Sequence, residues 1–140
     1  IDTDPAWQKL PLQLLHGQSH TALAACDQTL IASGTATLEA ALYKQPMVIA
    51  YRMSPFSYRL MKGRNYQPWF GLPNILAGEF LVPEFIQDAA TPEALAQAIS
   101  QQHDDAAGCD RLRARFAAMH HELARDCARR VADVVMNGLT

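Results

Sequence analysis

Residues Ile31–Arg52 read IASGTATLEAALYKQPMVIAYR. The order is an apolar run, a tight Ser33-Gly34-Thr35 turn, a helical stretch carrying Glu39, and a second apolar run that ends in Tyr51-Arg52. A strand that delivers the backbone to a glycine turn leaves the first amides of the next helix pointing outward without partners, and the helix dipole favours an anion there. Phosphate suits such a place. Thr35 and Glu39 are spaced i, i+4 and share one helix face, which sets a carboxylate about one turn behind the phosphate cradle, where a ribose would present its hydroxyls. The pattern suggests a nucleotide. A single glycine turn before a helix also serves as a plain connection in many α/β folds, so spacing alone leaves both readings open.

Outward from this unit the chain alternates. Thr29–Ala32 reads as a buried strand, 36–43 as a helix and Met47–Tyr51, rich in Val and Ile, as the next strand. Upstream, 19–26 reads as a short helix and the apolar run 12–15 as a candidate strand. Two successive βα units imply a parallel sheet covered by helices, with ligands at the carboxyl ends of the strands, and both Ser33 and Arg52 fall at such ends. Downstream, 55–62 is helical. The aromatic stretch 66–78 carries Pro68, Gly71, Pro73 and Gly78, which exclude long regular structure. Thr91 is a good N-cap with Pro92 at the first helical position, and Leu95, Ala98 and Ile99 form the buried stripe of that helix. Leu112, Phe116, Met119 and Leu123 mark a second amphipathic helix, and Cys127, Val131, Val134 and Val135 a third. Their Phe and Met positions read as core rather than as a cofactor box. The expectation is an α/β fold, a Rossmann-like parallel sheet flanked by helices, with a helical C-terminal tail.

Composition narrows the function classes. The chain has 140 residues, 49% of them hydrophobic and 19% charged, which fits one globular domain with a core of its own. A net charge of −2 provides no global basic field for nucleic acid, and no apolar run approaches the roughly 18 to 20 residues of a membrane span. Cys26, Cys109 and Cys127 are odd in number and far apart, without a CxxC pair, which argues against a disulfide framework or zinc ribbon and for a reducing, cytoplasmic setting. The chain opens at Ile1 with neither methionine nor a signal-like segment, and reads as a piece of a longer protein.

One charge feature stands out. From Ala40 to Ala77 there is no Asp or Glu, while Lys44, Arg52, Arg59, Lys62 and Arg64 fall inside, interleaved with Phe56, Tyr58, Tyr66, Trp69 and Phe70. This stretch reads either as a solvated helix face with buried aromatics, or as an electropositive wall for a phosphorylated substrate or anionic headgroups. Dispersed cations in an acidic protein do not make a nucleic-acid patch. Other apparent motifs give no chemistry. His121-Glu122-Leu123-Ala124-Arg125 places Arg where HExxH needs its second metal ligand, and Gly17 between His16 and His20 argues for a loop, so no metal is implied. Ser33 lies in no GxSxG elbow. Asp104, Asp105 and Asp110 around Gly108 read as a solvated connection between helices.

The segments ASGTATLEAAL, KQPMVIAYRMSPFSY and GLPNILAGEFLVPEFIQ, in this order, closely resemble the C-terminal half of the lipid-A-disaccharide synthase family. The resemblance runs from about Leu14 to the end, and the three-part motif set is specific. It implies residues 1–140 are the C-terminal UDP-sugar-binding domain of a two-domain, B-type glycosyltransferase, whose Rossmann-like halves face each other across a cleft. By the same resemblance Ser33, Gly34 and Thr35 would meet the diphosphate, Glu39 the ribose hydroxyls, and Asn74 the nucleotide or donor sugar. Arg52 would face the cleft and act catalytically by stabilising the leaving group. The implied partners are a UDP-diacylglucosamine donor, an acylated glucosamine phosphate acceptor, the inner face of the bacterial inner membrane and the N-terminal half that carries the general base. No cofactor is implied, and a homodimer is compatible. Similar enzymes often carry Arg where this chain has Glu79, which leaves the role of that position open. Two alternatives remain at this level: another B-type UDP-N-acetylglucosamine enzyme, epimerase or peptidoglycan glucosaminyltransferase, and a non-catalytic nucleotide-binding module. The first would call for a more glycine-rich phosphate loop than the lone Gly34.

Overall fold

The computed structural model describes residues 10–32, 34–62 and 68–138. Its centre is a parallel sheet of three strands, β1 (Thr29–Ala32), β2 (Met47–Tyr51) and β3 (Glu84–Ile86), in that spatial order. Leu30 pairs with Val48 and Ala32 with Ala50, while Ile49 pairs with Glu84 and Tyr51 with Ile86. Parallel strands need crossovers, and helices supply them: α2 (Thr35–Leu42) returns β1 to β2, and α3 (Pro55–Lys62) with α4 (Leu72–Ala77) lies between β2 and β3. A short α1 (Ser19–Ala25) precedes β1; α5 (Pro92–Asp104), α6 (Ala106–Leu123) and α7 (Cys127–Gly138) follow β3. The α/β class read from the sequence is therefore the observed one.

The core forms because β2 is apolar on both faces. Met47, Val48 and Ile49 are fully buried, as expected for a central parallel strand. With Leu23, Ala40, Ala41, Val82 and Phe116, Met47 and Ile49 make one cluster, closed by Ile31, Leu81 and Leu112. Phe116 and Met119, two positions of the second amphipathic stripe, are buried, and Thr91 caps α5 by accepting from the Ala94 amide at 3.2 Å. The stripe of α7 behaves differently: Val131, Val134, Val135 and Met136 are all exposed, so this helix has its amphipathic pattern without a covered face among the described residues.

One expectation changes. Residues 12–15 form no strand; Leu12 and Leu14 are exposed, since the run has no neighbouring ladder to satisfy its amides. The stretch before Gly78 holds only the short α4 of six residues, with Pro73 in its first turn, where a missing N–H is tolerated.

Candidate functional site

The parallel register decides what meets what. Ala32 and Ala50 are the last pair of the β1–β2 register, so Gly34 and Arg52, each two residues beyond it, both follow the carboxyl ends of their strands. Gly34 has φ 131° and ψ −163°, a conformation closed to residues with a Cβ, and it swings the chain from β1 into α2. No side chain caps α2, and Thr35 and Ala36 are exposed, so the helix start is open to a ligand. Glu39, one turn in, is half-buried, and its carboxylate has no hydrogen bond or ion pair among the described residues. Ser33 lies outside the described residues.

Thr37 holds this turn, a role the sequence did not announce. Fully buried, its hydroxyl donates to the Gly34 carbonyl at 2.7 Å and accepts from the Leu72 amide at 3.3 Å. One side chain thus fixes the glycine turn and docks the start of α4 onto α2.

The segment from Phe70 to Glu84 is tied by a second polar knot. Glu84 accepts from the amides of Phe70 and Gly71, each at 2.8 Å, and from Asn74 Nδ2 at 2.8 Å, setting a carboxylate against the amino end of α4. A Cβ on Gly71 would stand 2.3 Å from Ile49 Cδ1, so a larger residue there would force the Ile49 side chain to shift where α4 meets the strand. Asn74 is fully buried; its Nδ2 also donates to the Val82 carbonyl at 2.8 Å, and its Oδ1 accepts from Leu81 at 2.8 Å and Val82 at 3.0 Å. Both donors and both lone pairs of the amide are used. The contact with nucleotide or donor sugar expected for Asn74 has no hydrogen-bonding capacity left to it here; the residue shapes the loop.

Arg52 is exposed beyond β2. Its Nε donates to the Gln87 carbonyl at 3.3 Å, and it makes no ion pair among the described residues. Glu79, the position of open role, accepts from Arg115 on α6 at 2.6 Å; both side chains are more than half exposed, so the pair contributes at most about 1 kcal/mol. Of the basic stretch, Lys44 Nζ donates to the Leu42 carbonyl at 2.6 Å and sits 2.8 Å from His120 Nδ1, Arg59 is exposed, and Arg64 and Tyr66 lie outside the described residues, as does the side chain of Lys62. A cavity of about 410 Å³ lies elsewhere: Pro83, Phe85, Gln102 and Cys109 line it, and Gln102 donates to Met47 at the amino end of β2. We place the candidate site at the open carboxyl edge because ligand-directed backbone and uncommitted charge gather there.

A glycine turn, an uncapped helix start, a carboxylate without a partner and an exposed guanidinium bonded only at Nε stand at the carboxyl edge of a parallel sheet, the edge at which α/β proteins bind ligands. Comparison with known proteins gives the family. The chain belongs to the lipid-A-disaccharide synthetase family, whose model matches residues 5–132. It is 55% identical over 130 residues to the lipid-A-disaccharide synthase of Verminephrobacter eiseniae, covering 89% of this chain and 33% of that protein. It is 54% identical over 132 residues to that of Albidiferax ferrireducens, covering 91% and 34%, and 54% identical over 129 residues to that of Pseudomonas aeruginosa PAO1, covering 92% and 33%. The chain therefore spans about a third of the length of the curated relatives it matches.

Proposed function

We propose that this chain is the donor-binding part, the C-terminal half, of a B-type glycosyltransferase that makes the lipid A disaccharide. The donor is UDP-diacylglucosamine and the acceptor an acylated glucosamine phosphate. In the reaction an acceptor hydroxyl attacks the anomeric carbon of the donor, the bond to the diphosphate breaks with inversion, and UDP leaves with the electron pair. Charge grows on the diphosphate as the bond breaks, so groups that stabilise it there accelerate the step. In this reading the open amides of Thr35 and Ala36, with Ser33 and Gly34, take the diphosphate; Arg52 neutralises its growing charge; and Glu39 accepts from the ribose hydroxyls. No metal is invoked, because helix dipole and guanidinium supply the positive field. The general base and acceptor site belong to the portion of the relatives that this chain does not span, and the chain alone binds without catalysing.

The observation that carries the proposal is the registered emergence of Gly34 and Arg52 at one sheet edge, with Glu39 left unpaired one turn behind. The names of the relatives support the lipid A assignment. No helix among the described residues is long and apolar enough to cross a membrane, and a donor with two acyl chains calls for an enzyme that works at a membrane surface; we assign that contact to α3. Calorimetry with UDP tests the donor site. Weak, saturable binding is expected, and Glu39→Ala should weaken it by roughly 1 to 3 kcal/mol through loss of charge-assisted bonds to ribose. A folded chain that takes up no UDP at millimolar concentration would contradict the proposal.

A further inference from the structure

Gln87 is, with Lys44, one of two non-glycine residues at positive φ among the described residues. It follows directly on β3 with φ 56°, a left-handed conformation that Gly or Asn takes readily and Gln rarely does. Such a residue persists only where its surroundings over-determine it, and here the side chain does so. Its Oε1 accepts from the Met53 amide at 2.7 Å and its Nε2 donates to the Met53 carbonyl at 3.0 Å. The last backbone rung between β2 and β3 pairs Tyr51 with Ile86. Beyond it the chain turns away at Gln87, and the amide side chain supplies the rung that the backbone no longer can. The left-handed turn also aims the Gln87 carbonyl at the end of β2, where it accepts from Arg52 Nε at 3.3 Å while its other lone pair takes the Ala90 amide at 3.1 Å.

Arg52 is thus held from two directions. Its backbone is anchored through Met53, and its guanidinium is tethered at Nε. The four Nη protons have no partner among the described residues, and a guanidinium tethered at Nε presents them as a fork, the geometry that binds two phosphate oxygens at once. An untethered arginine would spend more binding free energy on being ordered than one whose Nε already has its partner.

We propose that Gln87 is a positioning residue for the diphosphate site, which by clamping Met53 and the Arg52 Nε–H presents the Arg52 fork to the ligand. The proposal rests on the donor-site reading above. The test is a double-mutant cycle on the full 140-residue chain, with UDP and uridine titrations followed by NMR and folding checked by circular dichroism. Gln87→Ala should weaken UDP binding by about tenfold, while the same change in an Arg52→Ala background should alter it by less than about twofold. Uridine, which has no phosphate for Arg52, should bind equally to wild type and Gln87→Ala. Gln87→Asn is the second variant: it accepts the left-handed backbone but is one methylene too short to reach Met53, and should behave like Gln87→Ala. Equal losses for UDP and uridine, additive effects of the two substitutions, or an unchanged UDP affinity in Gln87→Asn would overturn the role of Gln87 and leave the donor site standing. If Arg52→Ala itself binds UDP as wild type does, Arg52 takes no part in the donor site and the role of Gln87 falls with it. A folded wild-type chain that binds neither probe overturns both readings together.

Discussion

Asn74 and Gln87 illustrate how little a residue's type says about its task until its partners are known. Asn in a proline-punctuated loop suggests a free amide facing a ligand, whereas this one spends every bond on Leu81, Val82 and Glu84. Asn74→Ala would strip the buried Val82 amide and carbonyl of these bonds, while the Leu81 amide keeps its bond to the Glu79 carbonyl at 3.1 Å; at roughly 1 to 3 kcal/mol per stranded group, partly relieved by relaxation, a loss of about 3 kcal/mol is expected. Urea unfolding should show the midpoint falling accordingly, while the UDP affinity of the remaining folded protein stays near wild type. An unchanged midpoint with abolished UDP binding would instead return Asn74 to the ligand. The signals that nominate Gly34, Thr35, Glu39 and Arg52 in the sequence are local: a glycine between strand and helix, a carboxylate one turn on, a cation at a strand end. The links from Thr37 to Leu72 and from Gln87 to Met53 carry no such signal. They span 35 and 34 residues, and nothing nearby in sequence marks the meeting.

At the scale of elements, the strands and long helices were legible because burial imposes period and composition. β2 is apolar on both faces as a central parallel strand must be, and α6 repeats its buried residues at helical spacing. The short α4 was not legible. It has few residues of its own to stabilise it and forms because Glu84 binds its leading amides and Thr37 receives Leu72. The apolar run at 12–15 errs the other way, since a strand is defined by its neighbour as much as by its own residues. α3 raises a functional question. Phe56 is 79% exposed on it and Arg59, one turn on, is exposed as well, the combination of apolar wedge and cation that suits an anionic bilayer surface. In the complete enzyme, replacing Arg59, Lys62 and Arg64 by Ser should reduce partitioning onto vesicles containing phosphatidylglycerol by on the order of 1 kcal/mol per charge, with the difference shrinking at high salt. Sedimentation at two salt concentrations measures this. Unchanged, salt-insensitive partitioning would assign the membrane contact to another surface.

For the whole molecule, the candidate site at the carboxyl edge of the sheet and the cavity of about 410 Å³ lie at opposite ends of the strands. In the proposed reading the carboxyl edge is one wall of a two-walled cleft, and the relatives are about three times as long as this chain. Affinity from one wall alone should be modest, yet its location should already be defined, because the glycine turn, the clamp at Gln87 and the knot at Asn74 are all internal to this chain. The direct test is a UDP titration of the isotope-labelled 140-residue chain followed by backbone amide NMR. The account predicts saturable shifts centred on the amides of Gly34, Thr35 and Ala36, with smaller ones at Arg52 and Met53, and none at Gln102 or Cys109. Saturable shifts confined to the cavity between α5 and α6, or no saturable shift at millimolar UDP in a folded protein, would contradict the claim that this sheet edge is the donor site.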